Sequence, residues 1–329
     1  METQALLLSR SDVEQCLDVA GTVAIVEDVF RAHGQRKVVV PAKIVLDMSS
    51  LGIPGGLNAM PAYVEPARLC GIKVTGAFVD NPSKHGLPYI MASLMLLDPH
   101  SGVLVAVMDG VTITAMRTGA AAAVGARYLA REGAAVAAFV GCGVQASTSL
   151  QALNVVLDLA EIRAVDVRPE ASQRLVQQAE GLGISGRALA DRAKAVEGAD
   201  VIVVATTAAE PLVMREWVRP GAYIAKLGSF QELDDALTLG ADKLLVDHRG
   251  QAEHKGELAH LFGAGRITQA DVYAELGDVV AGLVPGREAD NEVIIAAMIG
   301  MGSEDVGVGS AVLRRARELG IGRVFDFLA

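Results

Sequence analysis

The run Gly141-Cys142-Gly143-Val144-Gln145-Ala146 has the residue types needed to hold the phosphates of a dinucleotide. Gly141 suits a tight turn, Gly143 leaves the backbone bare for a pyrophosphate to approach, and Ala146, in the place of a third glycine, still allows close helix–strand packing. A helix starting at this turn would present unpaired N–H groups and the positive end of its dipole to an anion. Asp166 follows twenty residues after Ala146, where a carboxylate accepts from a ribose 2′-hydroxyl and repels a 2′-phosphate. Arg168, two residues on, could instead pair with that phosphate, so these residues leave NAD and NADP both open. In a chain with 35 glycines the pattern alone weighs little, and the same turn could serve a doubly wound domain that binds no nucleotide. Its context carries the reading.

That context is a strand before the turn, a helix after it and a second strand ending at the acid. Ala134–Val140 is an apolar run of strand length, Ala146–Leu159 suits a helix, and Ile162–Val167 suits the next strand. Further strands are expected at Val201–Ala205, Ala222–Leu227 and Lys243–Val246, with helical stretches between most of them, which predicts a parallel sheet covered on both faces. The fold class is therefore α/β, a doubly wound Rossmann domain, with a mixed α+β part before it. In that first third, Ser11 is read as the N-cap of a helix running to Phe30. Strands are read at Lys37–Met48, Leu69–Phe78, Ile90–Leu97 and Val103–Met108, and an Ala-rich helix at Thr112–Arg131. After about Asp290 the pattern is read as helical again, ending in Ala311–Leu319.

The bulk properties exclude several classes. At 329 residues the chain is too long for one small core. Its net charge of −10 repels a phosphate backbone and argues against a nucleic-acid partner. No apolar run approaches the ~18 residues of a membrane span, and the polar start Met1-Glu2-Thr3-Gln4 has no signal-peptide pattern, so a cytoplasmic protein is expected. Cys16, Cys70 and Cys142 are odd in number and fit neither a disulfide framework nor a zinc spacing. His85, His100, His248 and His254 show no helical i, i+4 ligand pair, so no metal is expected, and no G-x-S-x-G elbow marks a serine hydrolase.

Several stretches, taken in order, resemble the ornithine cyclodeaminase/mu-crystallin family. They are Met60-Pro61-Ala62-Tyr63, Gly71-Ile72-Lys73-Val74, Asn81 with Gly86-Leu87-Pro88, and Arg117-Thr118-Gly119-Ala120-Ala121. After the glycine turn come Thr206-Thr207, Gly228-Ser229-Phe230, Val246-Asp247-His248-Arg249-Gly250-Gln251-Ala252 and Glu304-Asp305. The resemblance implies a homodimer whose subunit has a split substrate-binding and dimerisation domain around a central Rossmann domain. It places residues 1–116 in the first part, 117–305 in the nucleotide domain and 306–329 in the return to the first part. The implied chemistry interconverts amines, imines and carbonyls of small amino or imino acids by hydride transfer with NAD or NADP. Thr118, Thr206, Thr207 and Gly228 join Gly141, Gly143, Val144, Gln145, Ala146, Asp166 and Arg168 as expected cofactor contacts.

The resemblance also singles out three cations. Arg117, near the start of the Ala-rich helix, could grip a carboxylate through its planar guanidinium, with Lys43 beside it. Lys73 sits in an apolar strand, where burial and neighbouring cations would lower its pKa and suit it to proton transfer. Met60 is expected as an apolar wall of the substrate pocket. Three departures narrow the activity. Ser229 stands near where cyclodeaminases carry an Asp for the substrate's side-chain amine, and a neutral hydroxyl cannot supply that charge. Ala297-Met298-Ile299-Gly300 replaces a Lys-Ser-x-Gly-like loop, and Asn58 replaces an Arg of some alanine dehydrogenases. The expected activity is an amino-acid dehydrogenase or cyclic ketimine reductase. Ornithine cyclodeamination and a non-catalytic NADPH- or ligand-binding role of the mu-crystallin type are the alternatives.

Overall fold

The computed structural model describes residues 4–53 and 55–329. The chain divides into two units, one formed by Met1–Arg117 with Met301–Ala329 and the other by Thr118–Gly300. The return to the first unit thus falls at Met301 rather than at 306, which puts Glu304 and Asp305 with Lys73 and Arg117.

The first unit is built on one mixed sheet. Its strands run, from one edge, Arg323–Asp326, Gln4–Leu8, Leu104–Asp109, Ile90–Leu97, Leu69–Ala77, Gly56–Val64 and Val38–Val39, with Ile44–Asp47 also paired to Gly56–Val64. Among the described residues of this sheet, only Gln4–Leu8 and Leu104–Asp109 run parallel. The pairing of Gln4–Leu8 with Arg323–Asp326 brings the two ends of the chain into one sheet. Met60, Lys73, Leu94 and Met108 lie in register across four strands. Because strand side chains alternate faces, all four point to the same side, and all are buried. The helix Gly302–Leu319 lies against that side. It comes so close that a Cβ on Gly309 would strike the Leu94 side chain, and one on Gly307 would strike Val29 of the helix Val19–Gly34.

Two expectations for this unit are corrected. The helix read from Ser11 to Phe30 is two helices, Arg10–Cys16 and Val19–Gly34. Ser9, not Ser11, starts the first through a capping box in which Asp12 accepts from the Ser9 N–H at 2.8 Å. Asp18 restarts the chain by accepting from Gly21 N–H at 2.7 Å. The strand read over Lys37–Met48 breaks at Pro41, which has no N–H for a ladder. Gly56–Val64, which contains Pro61 and begins in glycine, was not read as a strand.

The second unit is a wholly parallel sheet in the order Ser185–Ala188, Glu161–Val165, Val136–Val140, Val201–Val204, Tyr223–Lys226, Ile294–Ala297, Lys243–Val246, Ala274–Glu275. The strands expected at 134–140, 162–167, 201–205, 222–227 and 243–246 are all present within about two residues. The helical reading after Asp290 is wrong for Ile294–Ala297, which is a fully buried strand between Tyr223–Lys226 and Lys243–Val246. A short apolar run buried on both faces has no periodicity to tell strand from helix. Val136–Val140 sits where the strand order reverses, and a crevice at the carboxyl end of such a strand is where an open α/β sheet takes its ligand. Among the described residues no helix is long and apolar enough to cross a membrane.

Candidate active site

The glycine turn follows directly from Val136–Val140. Gly141 has φ +87°, and a Cβ there would lie 2.6 Å from the Ala205 carbonyl oxygen, so the turn geometry demands glycine. Gly143 differs. Its φ is −82°, and a Cβ would meet nothing within 4 Å. Nothing inside the chain requires glycine at 143; a group approaching from outside would. The helix Val144–Val156 begins with no side-chain cap, and the Gln145 amide oxygen is buried without a hydrogen-bond partner among the described residues. A bare backbone at an uncapped helix N-terminus fits a dinucleotide phosphate.

Asp166 has a structural role absent from the sequence reading. Its Oδ2 accepts from Cys142 N–H at 2.8 Å, and its Oδ1 accepts from Arg168 N–H at 2.9 Å and Arg168 Nε at 3.4 Å. The acid therefore braces the turn as well as standing at the strand end. Burial pushes the Cys142 thiol up to about 11, so this cysteine packs rather than reacts.

Thr206 follows the neighbouring strand, and its methyl lies 2.6 Å from where a Gly141 Cβ would be. Its N–H and hydroxyl both donate to Glu232 Oε1, at 2.8 and 2.5 Å. Thr207 is exposed. Gly228 lies over the buried pair Lys226–Glu232, and Ser229 and Phe230 are exposed beside it. Asp247 accepts from the backbone N–H groups of Ile299, at 2.8 Å, and Gly300, at 2.5 Å, which pins the segment Ala297-Met298-Ile299-Gly300. Thr118 is buried in the helix Val111–Leu129, and the adjacent Gly119 packs on the Thr148–Ser149 backbone of the helix Val144–Val156.

In the first unit the chain gathers four charges. Lys73, from the middle of Leu69–Ala77, is fully buried, and its Nζ lies 2.6 Å from Asp305 Oδ1. Arg117 Nε donates to the same oxygen at 3.2 Å, and Arg117 Nη1 to Glu304 Oε2 at 3.4 Å. Glu304 also accepts from Met301 N–H at 2.9 Å, starting the helix Gly302–Leu319. Asp305 Oδ2 is buried with no hydrogen-bond partner among the described residues. Burial pulls the Lys73 ammonium down to about 8; the Asp305 carboxylate opposes this and the Arg117 guanidinium adds to it. A lysine of that kind exchanges protons near neutral pH, next to an acceptor oxygen with unused capacity.

The structure thus brings Lys73, Arg117 and Met60 together, Met60 being the cross-strand neighbour of Lys73. Lys43 is half-buried just before Ile44–Asp47, whose Ile44 pairs with Ala59. Asn58 Nδ2 donates to the Thr75 carbonyl at 3.5 Å. Sequence reasoning assigned no role to Glu304 or Asp305, although two acids in the run from Met301 to Val308, otherwise glycine, serine and apolar residues, signal buried charges in need of partners. It missed Lys226, Glu232 and Glu257 altogether. A lysine in the apolar run Tyr223-Ile224-Ala225-Lys226-Leu227 was the available signal.

Comparison with known proteins accords with this geometry. The family model for the ornithine cyclodeaminase/mu-crystallin family matches residues 3–319. The chain is 37% identical to an alanine dehydrogenase of Archaeoglobus fulgidus over 331 residues, covering 99% of each. Among solved structures it is similar to an archaeal alanine dehydrogenase dimer with bound NAD (TM-score 0.93, 36% identity, covering 99% of this chain and 100% of that one). It is similar also to the Thermococcus litoralis Δ1-pyrroline-2-carboxylate reductase in complex with NADH and L-proline (TM-score 0.91, 33% identity, 97% and 99% covered). This chain belongs to the ornithine cyclodeaminase/mu-crystallin family.

Proposed function

We propose that this protein is an NAD(P)-dependent oxidoreductase that moves hydride between a nicotinamide and the α-carbon of a small amino or imino acid, as an amino-acid dehydrogenase or a cyclic ketimine reductase. The observation that carries the reading is Lys73, fully buried on Asp305 and brought to an ionisation near 8. Neutral Lys73 accepts the proton released from the substrate nitrogen as an amine is oxidised. Its ammonium returns that proton when an imine is reduced. Arg117 and Lys43 supply positive charge for the substrate carboxylate, Met60 an apolar wall, and Asp305 the counter-charge that orients the lysine. Bound NAD supplies the hydride acceptor, and NADH the donor. The turn Gly141–Ala146 holds its phosphates, and Asp166, at its strand end, favours NAD over NADP by repelling a 2′-phosphate.

On this reading the first unit binds substrate and the second binds the nucleotide. The protein works as a cytoplasmic homodimer. Ile44, Val45 and Leu46 are each at least half exposed on one short strand, apolar surface of the kind a second subunit covers. The three cysteines are free thiols, in keeping with a reducing compartment. Cyclodeamination is disfavoured because Ser229 offers no negative charge to a second amine. A pure binding role is disfavoured because a buried, tuned Lys73–Asp305 pair serves no purpose in a carrier.

A panel of 2-oxo acids with ammonia or methylamine, cyclic imines and ornithine, followed by nicotinamide absorbance and ammonia release, tests the reading. Oxidation of NADH by an oxo acid with an amine, or by a cyclic imine, is the expected result. Ammonia released from ornithine with no net NADH would replace it by a lyase, and a silent panel with tight NADH binding would replace it by a carrier.

A further inference from the structure

The second unit holds a buried ion cluster that the proposed chemistry does not use. Lys226, Glu232 and Glu257 are each no more than 1% exposed. Lys226 Nζ lies 2.5 Å from Glu232 Oε2 and 3.8 Å from Glu257 Oε2. Glu257 accepts from the backbone N–H groups of Glu232, at 2.8 Å, and Leu233, at 3.1 Å. The sheet itself gives no reason for a charge at this place. Across the register row the residues run Val165, Val140, Val204, Lys226, Ala297, Val246 and Glu275, so Lys226 is a charge in the middle of the sheet with apolar side chains on both sides, the other charge being at the edge strand. Buried ions are tolerated only when paired, and well-packed apolar residues would serve stability as well or better.

The position of the cluster says what it is for. It joins segments at the carboxyl edge of the parallel sheet, where open α/β sheets bind their ligands. Glu232 takes both donors of Thr206, and the Thr206 hydroxyl in turn accepts from Ala208 N–H at 3.0 Å. The hydroxyl is thus occupied in shaping the 206–208 segment. A Cβ on Gly228 would run into Glu232 and lie 2.8 Å from Lys226 Nζ, so the 227–231 segment rests directly on the ion pair. Both segments follow strands of the second mononucleotide-binding half of the sheet, whereas the glycine turn and Asp166 belong to the first.

We infer that Lys226, Glu232 and Glu257 are positioning residues for the nicotinamide half of the cofactor, acting through the shape they impose on segments 206–208 and 227–231. The inference rests on the proposed function. Its test uses two ligands, NADH and ADP-ribose, which share the adenosine and pyrophosphate and differ in the nicotinamide. Affinities of the purified full-length protein are measured by NADH fluorescence and by calorimetry. Glu232→Gln keeps the shape and removes the charge, and Thr206→Val removes the hydroxyl donor. Each should weaken NADH about tenfold while leaving ADP-ribose within about twofold, and the double variant should be little worse than either single one because both act on one contact. Lys226→Arg should bind NADH better than Lys226→Met. If Glu232→Gln does not fold, Thr206→Val carries the test. Equal loss of both ligands, or no change in either, would overturn the inference. Wild-type protein that binds neither ligand would overturn the functional reading beneath it.

Discussion

Replacing Asp305 by Asn should lower the ionisation that governs turnover, and that one shift should favour amine oxidation and slow imine reduction near neutral pH. Asp305 Oδ1 stands 2.6 Å from Lys73 Nζ, and its charge is the largest influence holding the ammonium together against burial. A pair of unit charges about 3 Å apart interacts by roughly 5 kcal/mol at an effective dielectric of about 20. Screening and relaxation leave a typical shift of about 1–3 pKa units when such a partner is lost. Asn keeps the size of the side chain and much of the hydrogen bonding, so Lys73 should fall from about 8 to between about 5 and 7. Amine oxidation needs neutral Lys73. Its kcat/KM should rise through an acid limb near 8 in the wild type, and that limb should move to lower pH in the variant. Imine reduction needs the ammonium. Its rate should fall above about 8 in the wild type, and in a variant ionising near 6 it should be about tenfold slower at pH 7, because the protonated fraction drops from about nine-tenths to about one-tenth. The same lowering has a stability signature. Folded Lys73 ionises below its unfolded value of 10.5, so the unfolded chain binds more protons between about 8 and 10.5. Stability gains from this group as pH rises through that window, and the burial cost is full below pH 8. The assay is kcat/KM against pH in both directions, with Lys73→Met as the control lacking the limb. A limb that stays near 8 in Asp305→Asn, or shifts that favour or penalise both directions alike, would refute the reasoning.

Two glycines of one turn should separate folding from binding. Gly143→Ala has open space around it and an ordinary φ, so thermal stability should change by no more than about 0.5 kcal/mol while NADH affinity falls about tenfold. Gly141→Ala, at φ +87° and against the Ala205 carbonyl, should cost about 1–3 kcal/mol of stability, measured by thermal denaturation. Equal stability of the two variants would contradict this account of the turn. Asp166→Ser should raise kcat/KM for NADPH relative to NADH by about tenfold while weakening both cofactors, because the Cys142 N–H loses its carboxylate partner; an unchanged ratio would show that Asp166 serves the turn alone.

The amino-acid sequence by itself determined the parts of this protein that depend on short-range pattern. An apolar run, two glycines and a stretch of helix-compatible residues are contiguous, so the strand Val136–Val140, the turn and the helix Val144–Val156 could be read in place. So could most of the parallel strands, whose apolar runs end at turn residues. Where local signals conflicted, reading failed. Pro61 hid the strand that carries Met60, and Ile294–Ala297 looked as much like helix as strand. What only the tertiary structure decided is which charge meets which. Lys73 and Asp305 are 232 residues apart, and Arg117 and Glu304 are 187 apart. The family resemblance marked all four of those positions, two for substrate and two only as matches, yet it could not show Asp305 bridging both cations or Glu232 occupying the Thr206 hydroxyl. A charge excluded from water must find a partner wherever the chain provides one. That partner is set by the sheet that joins both ends of the chain and by the helix Gly302–Leu319 laid across it, not by any neighbour in sequence.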